Sequence, residues 1–167
     1  MDSRLSKIEE SGGDEARMKL QSIDDVKAKI PEFLEQVPYL KLLILFGSRA
    51  RGDNQASSDW DFAMLFDEEL RQRYEVGGWD CYRSWCIWQN LLDLGDDEID
   101  WVDMKHASVL LAHAIAHDGV VIYARDAAVS QNFCHQHLKS PAELTQMNRE
   151  TRERIHRKLA EWKALKA

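Results

Sequence analysis

The chain has 167 residues, 44% hydrophobic and 31% charged with only 3 prolines, an ordinary composition and enough length to bury one sizeable core. Its net charge of −7 argues against stable nucleic-acid binding, because phosphate binders carry clustered excess base. Three cysteines (Cys81, Cys86 and Cys134) without Cys-x-x-Cys spacing exclude a disulfide scaffold and predict a reduced, cytoplasmic protein, and no stretch approaches the roughly 20 apolar residues of a membrane span.

Residues 1–20 are polar, contain Gly12-Gly13 and lack the apolar core of a signal peptide, so they read as a flexible leader. A helix is expected from Ser22, which can cap it, with Asp24 and Asp25 at the positive end of the dipole. Val26, Ile30, Phe33, Leu34 and Val37 form its apolar stripe; Pro31 predicts a kink or two abutting helices, and Pro38 ends the segment. Residues 39–46, "YLKLLILF", are a short apolar run typical of a strand buried on both faces. A polar loop is expected from Gly47 through Ser58, followed by a second strand over 60–66 flanked by the acidic stretch Asp67 to Glu69. Residues 79–95 read as a helix stopped by Gly95, 98–104 as a third strand, 107–119 as a helix and 120–124 as a fourth strand. Beyond Arg125 the chain is helical, and Met147, Thr151, Ile155, Leu159 and Trp162 make the final helix amphipathic. This order predicts an α+β fold, a small mixed β-sheet with helices packed on it plus a C-terminal helix. The loop 47–58 is too short for a parallel crossover, so the first two strands should be antiparallel neighbours. The domain division is 1–20 leader, 21–126 main domain and 127–167 helical extension.

Chemistry concentrates in "LFGSRARGDNQASSDWDF", residues 45–62. Side chains alternate along a strand, so Asp59 and Asp61 point one way and Trp60 the other. Two carboxylates about 7 Å apart on one strand face can share a pair of magnesium ions, which prefer oxygen ligands and substrate phosphates. Gly47 opens backbone conformations closed to other residues, Ser48 offers an N–H and a hydroxyl, and Arg49 and Arg51 are donors for a polyanion. A third carboxylate from a neighbouring strand would be Asp100 or Asp103, which lie three apart and so on opposite faces; Asp100, between Ile99 and Trp101, is the costlier one to bury without a function.

Gly47-Ser48, ten intervening residues and then Asp59-Trp60-Asp61 resemble the GSx10DxD signature of the nucleotidyltransferase superfamily that includes DNA polymerase beta. "IDWVDM" is similar to the segment bearing that family's third carboxylate, and "HASVLLAHAIAHDGVVIYARD" is similar to the close of the domain in minimal nucleotidyltransferase (MNT) antitoxins. The resemblance covers about residues 23–125; Trp60 stands where a small aliphatic residue is commoner, and no motif is assignable to the final helix. It implies the nucleotidyltransferase fold and an adenylyltransferase that moves AMP from ATP to a tyrosine of a partner HEPN-domain ribonuclease toxin, in a hetero-oligomer. It further implies Gly47 and Ser48 at the triphosphate, and Asp59, Asp61 and Asp100 as metal-binding catalytic residues, with Asp100 helping to deprotonate the tyrosine. Phosphoryl transfer agrees with that set, since it depends chiefly on positioning and charge neutralisation.

Competing features carry less. His113 and His117 have metal-ligand spacing but no HExxH, and Cys134, His135 and His137 lack a second half at finger spacing. Basic residues of the final helix, Arg149 to Lys158, read as a solvated face paired with glutamates, with toxin docking as the sharper alternative. Two further functions are open: transfer to a small molecule such as an aminoglycoside, against which stands the lack of an obvious second domain for an acceptor pocket, and non-catalytic toxin binding, against which stands the intact acidic set.

Overall fold

The computed structural model describes residues 22–77 and 82–166; the expected leader and the first residues of the helix expected from residue 79 lie outside them. In chain order the elements are α1 (Ile23–Ala28), α2 (Ile30–Gln36), β1 (Leu40–Phe46), α3 (Gly47–Arg51), β2 (Trp60–Phe66) and α4 (Glu68–Tyr74), then α5 (Arg83–Leu92), β3 (Ile99–Asp103), α6 (Val109–Asp118), β4 (Val120–Ala124), α7 (Ala127–His137) and α8 (Pro141–Ala164). Ser22 and Asp25 form a capping box at α1, and Pro31 sits in the first turn of α2, where its missing N–H costs nothing. The proline thus divides the segment into two abutting helices.

The four strands form one sheet in the order β3-β2-β1-β4. β1 pairs antiparallel with β2 and with β4, whereas β2 pairs parallel with β3. β1 is one of the two inner strands and is covered on both faces, which is why its sequence is apolar on both faces apart from Lys41 near its start. One face carries Leu43, Leu45, Phe62 and Met64 under Val26, Phe33 and Trp88 from α1, α2 and α5. The other carries Leu42, Ile44 and Ala63 under Ala112, Ile115 and Phe133 from α6 and α7.

Two elements depart from expectation. The loop after β1 begins as the short helix α3, because Gly47 (φ +73°) turns the chain sharply and Gly52 (φ +77°) closes the turn in the left-handed region. The acidic stretch after β2 starts α4: the Asp67 carboxylate accepts from the Leu70 amide at 3.2 Å, and Glu68 and Glu69 occupy the first turn, where the helix dipole favours negative charge. α7 packs Phe133 into the core, while α8 departs from it; Met147 and Thr151 are half-buried, but Ile155, Leu159 and Trp162 are 50%, 51% and 62% exposed. Among the described residues no helix is long and apolar enough to cross a membrane.

Candidate active site

The site lies where the end of β1 and the beginnings of β2 and β3 meet, on the sheet face covered by α6 and α7. Parallel pairing sets Asp61 directly beside Asp100, and antiparallel pairing sets Asp61 beside Phe46, the residue before the Gly47-Ser48 turn. One register therefore brings together three pieces of sequence. Asp59 precedes β2 and is exposed, as is Asp100, while Asp61 is half-buried between them.

Gly47 is fixed by this packing. A Cβ added to it would overlap Oδ2 of Asp61 and lie 2.7 Å from Cγ, and its φ of +73° is strained for any side chain. The turn therefore passes against the Asp61 carboxylate. Ser48 follows in the first turn of α3, whose leading N–H groups have no intrahelical acceptors and favour an anion.

The carboxylates sense one another. Burial, then the charges of Asp100 and Asp59, push the Asp61 carboxyl above its usual 3.8, while Arg51 and Arg49 oppose the rise. Among the described residues no three Asp, Glu, His or Cys side chains already gather as a metal shell would, these aspartates included. Their donor set nevertheless fits a hard divalent cation: three carboxylates at adjoining strand starts, of which Asp61 has a raised proton affinity that a cation would relieve.

Asp103 is elsewhere. Pairing in β3 turns it to the opposite face, where its Oδ2 accepts from Arg71 Nη1 at 2.6 Å. Arg71, with its side chain only 9% exposed, also donates to Glu75 at 2.6 Å and lies over the Phe66 ring at 4.4 Å. Of the two carboxylates left open by the sequence, Asp100 accompanies Asp61 and Asp103 belongs to a structural ion network. The cavity of about 470 Å³ beside Arg71 and Asp103 is accordingly across the sheet from the aspartate cluster.

Arg49 and Arg51 also separate. Arg51 is exposed and pairs with Asp53 at 3.2 Å. Arg49 donates from Nε and Nη2 to the Ser58 carbonyl at 3.1 and 2.6 Å, and from Nε to the Asp59 carbonyl at 3.1 Å. Its guanidinium stacks 4.2 Å from the centroid of the buried Trp60 ring. A cleft of about 540 Å³ opens beside these groups, lined by Arg49, Ser58, Asp59, Trp60, Leu94 and Glu98. Sequence reasoning missed Trp60 as the partner of Arg49, a contact that depends on how the loop folds back, and Arg71 as the partner of Asp103, 32 residues apart; only their residue types hinted at pairing. His113 is engaged with the segment after α7, its Nδ1 accepting from the Lys139 amide at 3.1 Å.

Residues 28–128, which span β1 to β4 and every site residue above, match the family Polymerase beta, Nucleotidyltransferase. The chain is 34% identical over 145 residues to protein adenylyltransferase MntA of Aphanizomenon flos-aquae, covering 86% of this chain and 97% of that protein. Its fold is similar to one chain in the tri-AMPylated Shewanella oneidensis HEPN toxin in complex with MNT antitoxin, with a TM-score of 0.54, 19% identity and coverage of 83% of this chain and 99% of that one. It is also similar to a chain of a toxin–antitoxin crystal structure with AMP-PNP, with a TM-score of 0.50, 22% identity and coverage of 80% and 98%. The chain belongs to the polymerase beta nucleotidyltransferase family, in its group of MntA protein adenylyltransferases.

Proposed function

We propose that this chain is an antitoxin that transfers AMP from ATP to a tyrosine hydroxyl of a partner HEPN-domain ribonuclease and so inactivates it. The observation that carries the reading is the pairing of Asp61 with Asp100 directly beside the Gly47-Ser48 turn. The relative's name, protein adenylyltransferase MntA, supports a protein acceptor, and the likeness to a chain crystallised with AMP-PNP supports an adenine nucleotide as donor. We place the transferase domain at residues 21–126 and a helical extension at 127–167, and the protein in the cytoplasm, where ATP and a ribonuclease target coexist.

Gly47 and Ser48 bind the triphosphate through backbone N–H groups and the serine hydroxyl, with Arg51 as an exposed cation nearby. Asp59, Asp61 and Asp100 would hold magnesium, two ions in our reading, which would neutralise charge on the phosphates during transfer. The tyrosine oxygen forms a bond to the α-phosphorus while the bond from that phosphorus to the bridging oxygen breaks, and pyrophosphate leaves. Asp100, the exposed strand carboxylate, accepts the hydroxyl proton. The half-buried Asp61 is placed next to the turn by the Phe46 pairing, which holds its backbone beside the donor N–H groups.

The test uses purified chain, magnesium and a HEPN protein encoded beside it, with ATP labelled at either the α- or the γ-phosphate. Label should reach the HEPN protein from the α position alone, because the γ-phosphate leaves in pyrophosphate. Label on an aminoglycoside with none on the protein, or loss of ribonuclease activity without any label, would replace this reading.

A further inference from the structure

The two arginines of the GSRARG turn have the same charge but different commitments. Arg51 is exposed and pairs with Asp53, which is exposed too. Arg49 is built into the loop. Its Nε–H is shared between the carbonyls of Ser58 and Asp59, and Nη2 donates a second bond to Ser58 at 2.6 Å. One flat face of the guanidinium is covered by the Trp60 indole at 4.2 Å. Trp60 is itself packed into the core: it is 4% exposed, stacks on Phe62 with 6° between the ring planes, and its amide donates to the Glu98 carbonyl at 2.9 Å.

These contacts close a ring. Arg49 follows Ser48 directly in α3, and the carbonyls it grips belong to the residue before Asp59 and to Asp59 itself. The segment between, residues 52–57, is exposed, and the hydrogen bonds at its two ends are local, from the Asp53 amide to the Ser48 carbonyl at 3.1 Å and from the Gln55 amide to Ser58 Oγ at 2.9 Å. Asp59 lies outside β2, so the sheet ladder does not fix it either. We propose that Arg49, braced on Trp60, is a positioning residue that ties the Ser48 turn to Asp59, and that its role is not to bind phosphate. The proposal rests on nucleotidyl transfer at this site.

Guanidinium geometry is essential to it. A planar fork can bond two adjacent carbonyls along one edge while stacking on an indole; a lysine ammonium supplies the same charge without either. A phosphate ligand would respond differently, since charge alone would retain much of its effect.

The experiment compares wild type with Arg49→Lys, Arg51→Ala, Trp60→Leu, Trp60→Phe and the Arg49→Lys/Trp60→Leu pair. It measures kcat and KM for transfer, AMP-PNP affinity by calorimetry, and amide hydrogen exchange over residues 53–59. Arg49→Lys should lower kcat by about 100-fold, the order expected for a misplacement near 1 Å. Its AMP-PNP affinity and KM should stay within about threefold, and exchange over 53–59 should rise at least about tenfold as the ring opens. Trp60→Leu should act in the same direction and add little to Arg49→Lys, because both remove one clamp, while Trp60→Phe, which keeps a ring, should lose less. Arg51→Ala should instead weaken AMP-PNP. The proposal is overturned by Arg49→Lys weakening AMP-PNP more than about tenfold with kcat preserved, the behaviour of a direct ligand. Unchanged exchange over 53–59 would overturn it independently. Failure of the wild type to transfer AMP would instead sink the functional reading, with the exchange data still deciding the clamp.

Discussion

Gly47→Ala should impair catalysis far more than folding, and it does so without changing a charge. The added methyl would overlap Asp61 Oδ2 and stand 2.7 Å from Asp61 Cγ. Carbon atoms settle at about 3.5 Å or more, so the carboxyl carbon must retreat by about 0.8 Å or the turn must move as far. The obstructing group is the end of a side chain at a half-buried position, so it can swing aside at little cost. What remains is the left-handed backbone at φ +73°, worth about 1–2 kcal/mol for a residue with a Cβ. Spread over a chain of this size, that is a fall in Tm of about 2–8 °C. Transfer should suffer far more, because a displacement near 1 Å between donor turn and carboxylate costs about 100-fold. The assay pairs thermal unfolding with α-labelled ATP transfer at a temperature where both proteins are folded. Transfer within threefold of wild type would refute the claim that the close approach of turn and carboxylate forms part of the site.

Asp100→Asn and Asp103→Asn should divide in the same way: the first abolishes transfer and leaves the fold intact, while the second leaves the aspartate cluster in place and weakens the Arg71 network, as transfer assays and denaturant unfolding would show. Arg71→Met should destabilise by about 3–5 kcal/mol, because it strands the largely buried Glu75 and Asp103 carboxylates without their counter-charge. A loss below 1 kcal/mol in urea unfolding would contradict that. Asp61 binds its proton more tightly folded than unfolded, so its contribution is favourable below the usual 3.8 and is lost as pH rises through the higher folded value. Asp61→Asn should therefore abolish transfer and gain Tm over wild type as pH rises from 4 to 7; a gap that shrinks over that range would disprove the sign.

The sequence by itself determined the strands, because their signals are local. β1 is apolar on both faces, β2 and β4 are bounded by turn residues, and a ten-residue spacing between Gly47-Ser48 and the aspartates demanded an antiparallel return. Pro31 announced the α1–α2 break, and Gly47, Ser48, Asp59 and Asp61 were legible because motif and alternation lie within one continuous stretch of sequence. Helices α3 and α4 escaped because five to seven residues carry too little periodicity; their evidence was a left-handed glycine and an Asp67 cap. The choice between Asp100 and Asp103 was beyond any local pattern. It depends on β3 lying parallel to β2 in one register, which seats Asp100 at Asp61 and hands Asp103 to Arg71, 32 residues away in the chain. The division of labour between Arg49 and Arg51 is likewise tertiary. Both have the same side chain, and only the folded loop brings one of them onto an indole and two carbonyls.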